Sequence, residues 1–244
     1  MTAPRLHVDA ALAAGLALTL PPVAARHAQV LRLQPGDAVT LFNGLGGEWA
    51  ARVTAMGRQV VEVEVEAAIA VECELPFAVT LALAMPAGER MDALIEKATE
   101  LGAAAIQPLT AERSVLRLTG ERADRRRAHW QAIAVAACEQ CGRNRVPLVR
   151  PVAGFAAWMA SLAAPTLHEH RLLLGWREAQ PWGDAARIEA GQAVAILSGP
   201  EGGFTDGEED LARLRGFVPV SLGARVLRAD TAPLAALAAL GLGR

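Results

Sequence analysis

Over the first ~70 residues, apolar and polar positions alternate in short runs separated by turn-forming residues, the pattern of a β-rich segment. Gln29 to Leu33 leads into the turn Pro35-Gly36-Asp37, and Ala38 to Phe42 reads as a short strand. Asn43-Gly44 and Gly46-Gly47 make a second turn before a strand from Glu48 to Val53. Val60 to Val65 alternates apolar with acidic residues, as a strand with one wet face does. Short strands joined by tight turns predict a small barrel.

After about Pro76 the period changes. Val79 to Met85 is an apolar strand, and Glu89 to Gly102 is helical, with Met91, Leu94, Ile95, Ala98 and Leu101 on one face. Strand-like Ala103 to Leu109 precedes a longer helix, Arg122 to Cys141, with Trp130, Ile133, Ala134 and Ala137 inward. Then follow a strand (Val146 to Val152), a helix (Phe155 to Leu162) and strands at Arg171 to Trp176 and Ala193 to Ser198. A helix (Asp206 to Arg215), a strand (Phe217 to Leu222) and a last helix from about Thr231 complete the pattern. Alternating strands and helices of this length predict an α/β domain with a mainly parallel sheet. The expected division is therefore a barrel over 1–72 and an α/β domain over 73–244.

A 52% hydrophobic composition makes a sizeable core easy to bury and disorder improbable. No window reaches the ~18 uninterrupted apolar residues of a membrane span. Met1 to Leu20 has no convincing cleavage pattern and reads as mature sequence. Three cysteines are too few for a disulfide framework, so a cytoplasmic setting is expected. Cys138 and Cys141 form a C-x-x-C without a second Cys or His pair; two small residues on a helix are expected there, not a metal site. The net charge of −2 argues against a nucleic-acid partner, but its distribution does not. From Glu112 to Arg150 arginines far outnumber acids, including Arg113, Arg117, Arg122, Arg125, Arg126, Arg127, Arg143 and Arg145. Composition leaves two readings open: a phosphate-facing surface, or a solvated helix face in an arginine-preferring chain.

The segment Ala193 to Phe204 ends a buried strand in the turn Ser198-Gly199-Pro200-Glu201-Gly202-Gly203. Thr205 and Glu208 then form a capping box that specifies a helix start. Such a turn lets a ligand approach the backbone closely and offers free N–H groups at the carboxyl end of a strand. It is neither G-x-G-x-x-G nor a Walker A sequence, which disfavours a nicotinamide enzyme or a nucleoside-triphosphate site. A plain tight turn is the alternative. Val220 to Ala232 again runs strand, glycine-bearing loop, helix, with Arg225 and Arg228 in the loop and Asp230 or Thr231 able to cap the last helix. Two such loops at consecutive strand ends exceed what packing requires.

Leu197 to Phe204 resembles the I-G-P-E-G-G-F/L loop of the RsmE-like family of uracil-N3 ribosomal RNA methyltransferases. Ser221 to Ala232 resembles that family's L-G-x-R-I-L-R-x-E-T-A. Glu96 to Gly102 with Glu112-Arg113-Ser114-Val115 resembles E-K-x-T-E-L-G … E-R-S-V, and Cys138 to Pro147 resembles E-Q-S/C-G-R-x-x-V-P. The four segments stand in family order, and the N-terminal part resembles the family's PUA-like barrel, so the likeness covers nearly the whole chain. Asp230 replaces a usual Glu, Ala229 a frequent Thr and Cys141 a common Ser, while Pro233 is unusual.

The resemblance implies a SPOUT-type, trefoil-knotted parallel-sheet methyltransferase domain and S-adenosylmethionine as cofactor. It implies cofactor contacts at Leu197, Ser198, Gly199, Gly202 and Gly203, and at Ser221, Leu222, Gly223, Val226, Leu227 and Arg228. It further implies a homodimer acting on small-subunit ribosomal RNA, in an assembled subunit, with no metal and no membrane. Arg225 and Arg228 are expected to stabilise charge on the uracil oxygens, with Glu139 and Glu201 as candidate proton acceptors. Arg113, Arg143 and Arg145 are the expected RNA contacts. The rival readings are methylation of another RNA atom by the same fold, or a non-catalytic RNA-binding assembly factor.

Overall fold

The computed structural model describes residues 3–58, 60–88 and 90–242, with Asp184 described by its backbone alone. The expected helix start at Glu89 thus lies outside the described residues. The chain divides into two compact units, one of Met1–Glu74 with Val135–Val146 and one of Leu75–Ala134 with Pro147–Arg244.

The first unit is built on five strands: β1 (Arg5–His7), β2 (Ala17–Thr19), β3 (Ala38–Phe42), β4 (Glu48–Met56) and β5 (Val61–Ile69). Their order is β1-β3-β4-β5-β2, with β1 parallel to β3 and the other pairs antiparallel. The period of two in β5 does what the sequence predicts. Val61, Val63 and Val65 are buried beside Leu6, Leu41 and Val53, while Glu62, Glu64 and Glu66 face water. Helix α1 (Pro22–Val30) was not legible as a helix. It has no side-chain cap, starts on a proline tolerated in a first turn, and buries only Ala24, Ala25 and Ala28, so no bulky apolar stripe marks it.

The second unit opens with β6 (Ala78–Ala84), α2 (Arg90–Glu100) and β7 (Ala105–Thr110). The face expected of α2 is the buried one: Met91, Leu94, Ile95 and Ala98. Helix α3 (Gly120–Cys141) begins here, while its residues from Val135 onward are grouped with the first unit. The single strand expected at Val146 to Val152 is instead two short pieces, β8 (Leu148–Val149) and β9 (Ala153–Gly154), both pairing with β7. Pro147 and Pro151 lack the N–H a continuous ladder needs. Next come α4 (Phe155–Ser161), β10 (Glu169–Leu174), β11 (Gln180–Pro181), α5 (Trp182–Ala185) and β12 (Ala193–Ser198). Helix α6 (Asp206–Leu214), β13 (Val218–Ser221) and α7 (Thr231–Gly241) complete the chain.

The sheet is parallel throughout, in the order β11-β13-β10-β12-β6-β7-β8. Its central strands are near-continuous apolar runs because side chains on both faces are covered. Leu109, Phe155, Leu173, Leu197, Phe204 and Phe217 meet in one core cluster. The pairings Leu174 with Val220, Leu173 with Leu197 and Ser198 with Leu83 bring the carboxyl ends of β13, β10, β12 and β6 to the same edge. Among the described residues no helix is long and apolar enough to cross a membrane.

Candidate active site

A cavity of about 600 Å³ opens at that edge. Three strand ends supply its walls: Leu174 and Gly175 after β10, Ser198 to Glu201 after β12, and Val220 to Leu222 at β13. Open α/β sheets bind ligands at this position, where loops leave the carboxyl ends of strands.

The loop after β12 is held from several sides. Thr205 caps α6 in a full capping box: its hydroxyl accepts the Glu208 N–H at 3.3 Å, and the Glu208 carboxylate accepts the Thr205 N–H at 2.9 Å. Arg113 donates to the Gly202 carbonyl at 3.0 Å and the Phe204 carbonyl at 3.3 Å. A Cβ on Gly202 would meet the Arg113 side chain at 3.3 Å, and one on Gly199 would meet the Phe204 ring at 3.2 Å. Gly203 has φ of +67°, which only glycine adopts freely. Glu201 accepts the Ala87 N–H at 3.0 Å and pairs with Arg90 at 3.1 Å. Both contacts fall on its Oε1 atom, so one carboxylate oxygen braces the loop, and the residue lines the cavity.

The loop after β13 turns at Gly223, whose φ is +112°. The Ser221 hydroxyl accepts the Gly223 N–H at 3.3 Å. Asp230 does not cap α7 with its side chain, contrary to that expectation. Its backbone is helical, and the first turn is closed by the Arg228 carbonyl accepting from Thr231 at 3.0 Å and Ala232 at 2.9 Å. One carboxylate oxygen of Asp230 is buried without a hydrogen-bond partner among the described residues. Arg225, Val226 and Arg228 are exposed and line the cavity, as Leu227 does.

Of the expected cofactor contacts, Ser198, Gly199, Gly203, Ser221, Leu222, Val226, Leu227 and Arg228 line the cavity. Leu197, Gly202 and Gly223 are not among the lining residues. Leu197 is buried in the core and Gly202 packs on Arg113, while Gly223 bends the second loop. Residues that sequence reading missed include Arg90, Trp176, Arg177 and Glu209. Burial pushes the Glu209 carboxyl above its ordinary range, opposed by Arg213 and Arg177. Trp176 and Arg177 reach the cavity because β10 lies between β12 and β13, an adjacency that no local pattern announces, while Arg90 comes from α2 and Glu209 from α6.

Three further expectations meet a different environment. The guanidinium of Arg143 has 4% side-chain exposure and is locked in a two-pronged pair with Glu74, so it does not present its charge to a phosphate. Arg145 pairs with Glu72 at 3.1 Å and lies over Gly46, where a Cβ would come within 2.6 Å of it. Glu139 accepts the His7 N–H at 3.0 Å and pairs with His27 at 3.2 Å, all within the first unit. It holds β1 and α1 and is not a lining residue of the cavity. Cys138 is buried and Cys141 half-buried, both free. Among the described residues no group of three or more His, Cys, Asp or Glu is placed to hold a metal ion.

Residues 73–241 match the model of the RNA methyltransferase domain, and residues 24–66 that of the RNA methyltransferase PUA domain. The chain belongs to this RNA methyltransferase family. Ribosomal RNA small subunit methyltransferase E of Synechocystis is 39% identical over 86% of this chain and 67% of the relative. The protein of that name from Bacillus subtilis is 32% identical over 86% of this chain and 84% of its own length. Two solved structures share the fold at a TM-score of 0.90. One is ribosomal RNA small subunit methyltransferase E of Neisseria gonorrhoeae bound to S-adenosyl methionine, 38% identical, covering 98% of this chain and 97% of that one. The other is a putative methyltransferase of Legionella pneumophila with the bound cofactor, 34% identical, over the same shares of each chain. The fold class read from the sequence, a PUA-like barrel before a parallel-sheet methyltransferase domain, is the one the family has.

The cavity suits such a cofactor. Its volume lies within the range of roughly 300–1,000 Å³ usual for small-molecule sites. Leu174, Val220, Leu222 and Leu227 offer apolar walls, and the two glycine-bearing loops offer main-chain polar groups to a nucleoside.

Proposed function

We propose that this chain transfers a methyl group from S-adenosylmethionine to N3 of a uridine in small-subunit ribosomal RNA. The observation that carries the reading is the cavity formed where two glycine-bearing loops leave the parallel strands on either side of β10, in a chain of this family. The cofactor supplies an electrophilic methyl carbon on a sulfonium, and the protein must supply orientation and charge. Main-chain groups around Ser198, Gly199, Ser221 and Leu222 hold the donor. Arg225 and Arg228 stand exposed on the cavity, where they stabilise the charge that uracil oxygens acquire as N3 loses its proton. Removing such a stabilising group costs roughly 10²–10³ in rate. Arg228→Ala is therefore expected to lose methyl transfer by that order while staying folded; full activity in the variant would remove Arg228 from the mechanism.

RNA contact is supported by α3, whose Arg122, Arg125 and Arg127 are exposed. Arg113 serves the reading differently from its expected role, by holding the cofactor loop. N3 lies on the pairing edge, so the target base must be unpaired or flipped. A homodimer acting in the cytoplasm on an assembled subunit completes the proposal. Light scattering tests the dimer, a monomeric mass being the adverse result.

The function is tested by nucleoside mass spectrometry of small-subunit RNA, from ribosomes lacking the modification, incubated with the protein and S-adenosylmethionine. One 3-methyluridine per subunit is expected. A methyl on a ribose or a guanine, or no product, would contradict the assignment.

A further inference from the structure

Trp176 stands just beyond β10, 54% exposed, on the wall of the cavity. A tryptophan buries up to 150–250 Å² when it finds a partner, so leaving one half wet forgoes a large apolar contact. The segment that carries it is nevertheless held in place by α6. Arg213 donates to the Arg177 carbonyl at 2.9 Å, and Arg213 and Arg177 both bind one oxygen of Asp210 at 3.0 Å. Arg177 also lies 3.9 Å from Glu209 and Arg213 lies 3.8 Å from Glu178. Glu178 itself has φ of +53°, a left-handed conformation that a non-glycine residue keeps only where its surroundings impose it. A strained turn clasped by two arginines fixes the backbone next to Trp176, whose side chain is left exposed at the wall.

The chemistry of the wall narrows what it receives. The other aromatic of the lining, Phe204, is 7% exposed and already packs on Phe155 at 5.0 Å between ring centroids. Trp176 is therefore the exposed aromatic surface among the described lining residues. Leu174 and Leu222 continue the apolar wall, and Arg225 and Arg228 supply cations. A flat heteroaromatic ring with an apolar face and polar edges fits that combination, as every nucleobase does.

We propose that Trp176 is a stacking platform for a nucleobase, and that the Arg177–Asp210–Arg213 clasp is what positions it. The inference deepens the methyl-transfer reading and rests on it for the two bases at hand, the adenine of the cofactor and the target uracil. Calorimetric titrations of the full-length protein, of Trp176→Ala and of Trp176→Phe with S-adenosylhomocysteine and with a uridine-containing RNA oligonucleotide separate them. The alanine variant is expected to lose roughly tenfold or more in affinity for one of the two, while the phenylalanine variant retains most of it. Loss confined to S-adenosylhomocysteine assigns the platform to adenine, and loss confined to RNA assigns it to the target base. If wild type binds and Trp176→Ala binds both probes equally well, the platform is overturned while the methyl-transfer reading stands. A wild type that binds neither probe overturns both. Should the alanine variant fail to fold, tryptophan fluorescence decides: a ligand-induced quench in wild type that Trp176→Phe lacks supports the platform, and an identical quench in both overturns it.

Discussion

The guanidinium of Arg143 and the carboxylate of Glu74 form a two-pronged ion pair that is largely withdrawn from water. The glycines of the two loops could be read from sequence, because a strand followed by several glycines has few uses. Arg143 could not: its partner Glu74 is 69 residues away, so a lone arginine in a basic stretch looks solvent-facing. With 4% and 15% of the two side chains exposed, removing one partner leaves the other charge buried. Arg143→Ala is expected to cost about 3–5 kcal/mol in a denaturant melt. A loss below about 1 kcal/mol, the range of surface pairs, would contradict a buried pair. Cys138 is the second residue-scale case. Burial pushes its thiol from an ordinary 9.0 up to about 12. The folded state thus favours the protonated thiol, and that contribution is complete below pH 9 and declines as pH rises toward 12. Relative to Cys138→Ala, wild-type stability should be flat up to about pH 9 and fall beyond it; a flat difference across that window would refute the assignment.

At the scale of elements, boundaries with a stated chemistry were legible and those set by packing were not. Helix α6 was readable to within a residue because Thr205 and Glu208 announce it, and the box is present with both hydrogen bonds. Thr205→Ala is expected to cost about 1 kcal/mol in unfolding free energy. The substitution removes the hydroxyl that accepts the Glu208 N–H, while the backbone N–H of residue 205 can still donate to the Glu208 carboxylate; an unchanged midpoint in urea would contradict the cap's role. Helix α1 lacked any such announcement and buries only alanines, while β8 and β9 were fused in the sequence reading because periodicity does not register the missing N–H groups of Pro147 and Pro151. Trp176 was passed over for a related reason: an aromatic at a strand end reads as core until the strand's neighbours are known.

For the whole molecule, the alternation of strands and helices gave the fold class, but strand order decides the site. Placing β10 between β12 and β13 brings a third strand end beside the two glycine loops and adds Trp176 and Arg177 to a cavity otherwise described by its loops. Family membership and that cavity converge on one claim, that the loops after β12 and β13 bind a methyl donor through their main chain. Calorimetric titration of S-adenosylmethionine into wild type and Gly223→Val tests it most directly, since any side chain at φ of +112° strains the second loop by about 1–3 kcal/mol. Saturable one-to-one binding by wild type, weakened roughly tenfold or more in the folded variant, is the predicted result. No binding by wild type, or equal binding by both proteins, would contradict it.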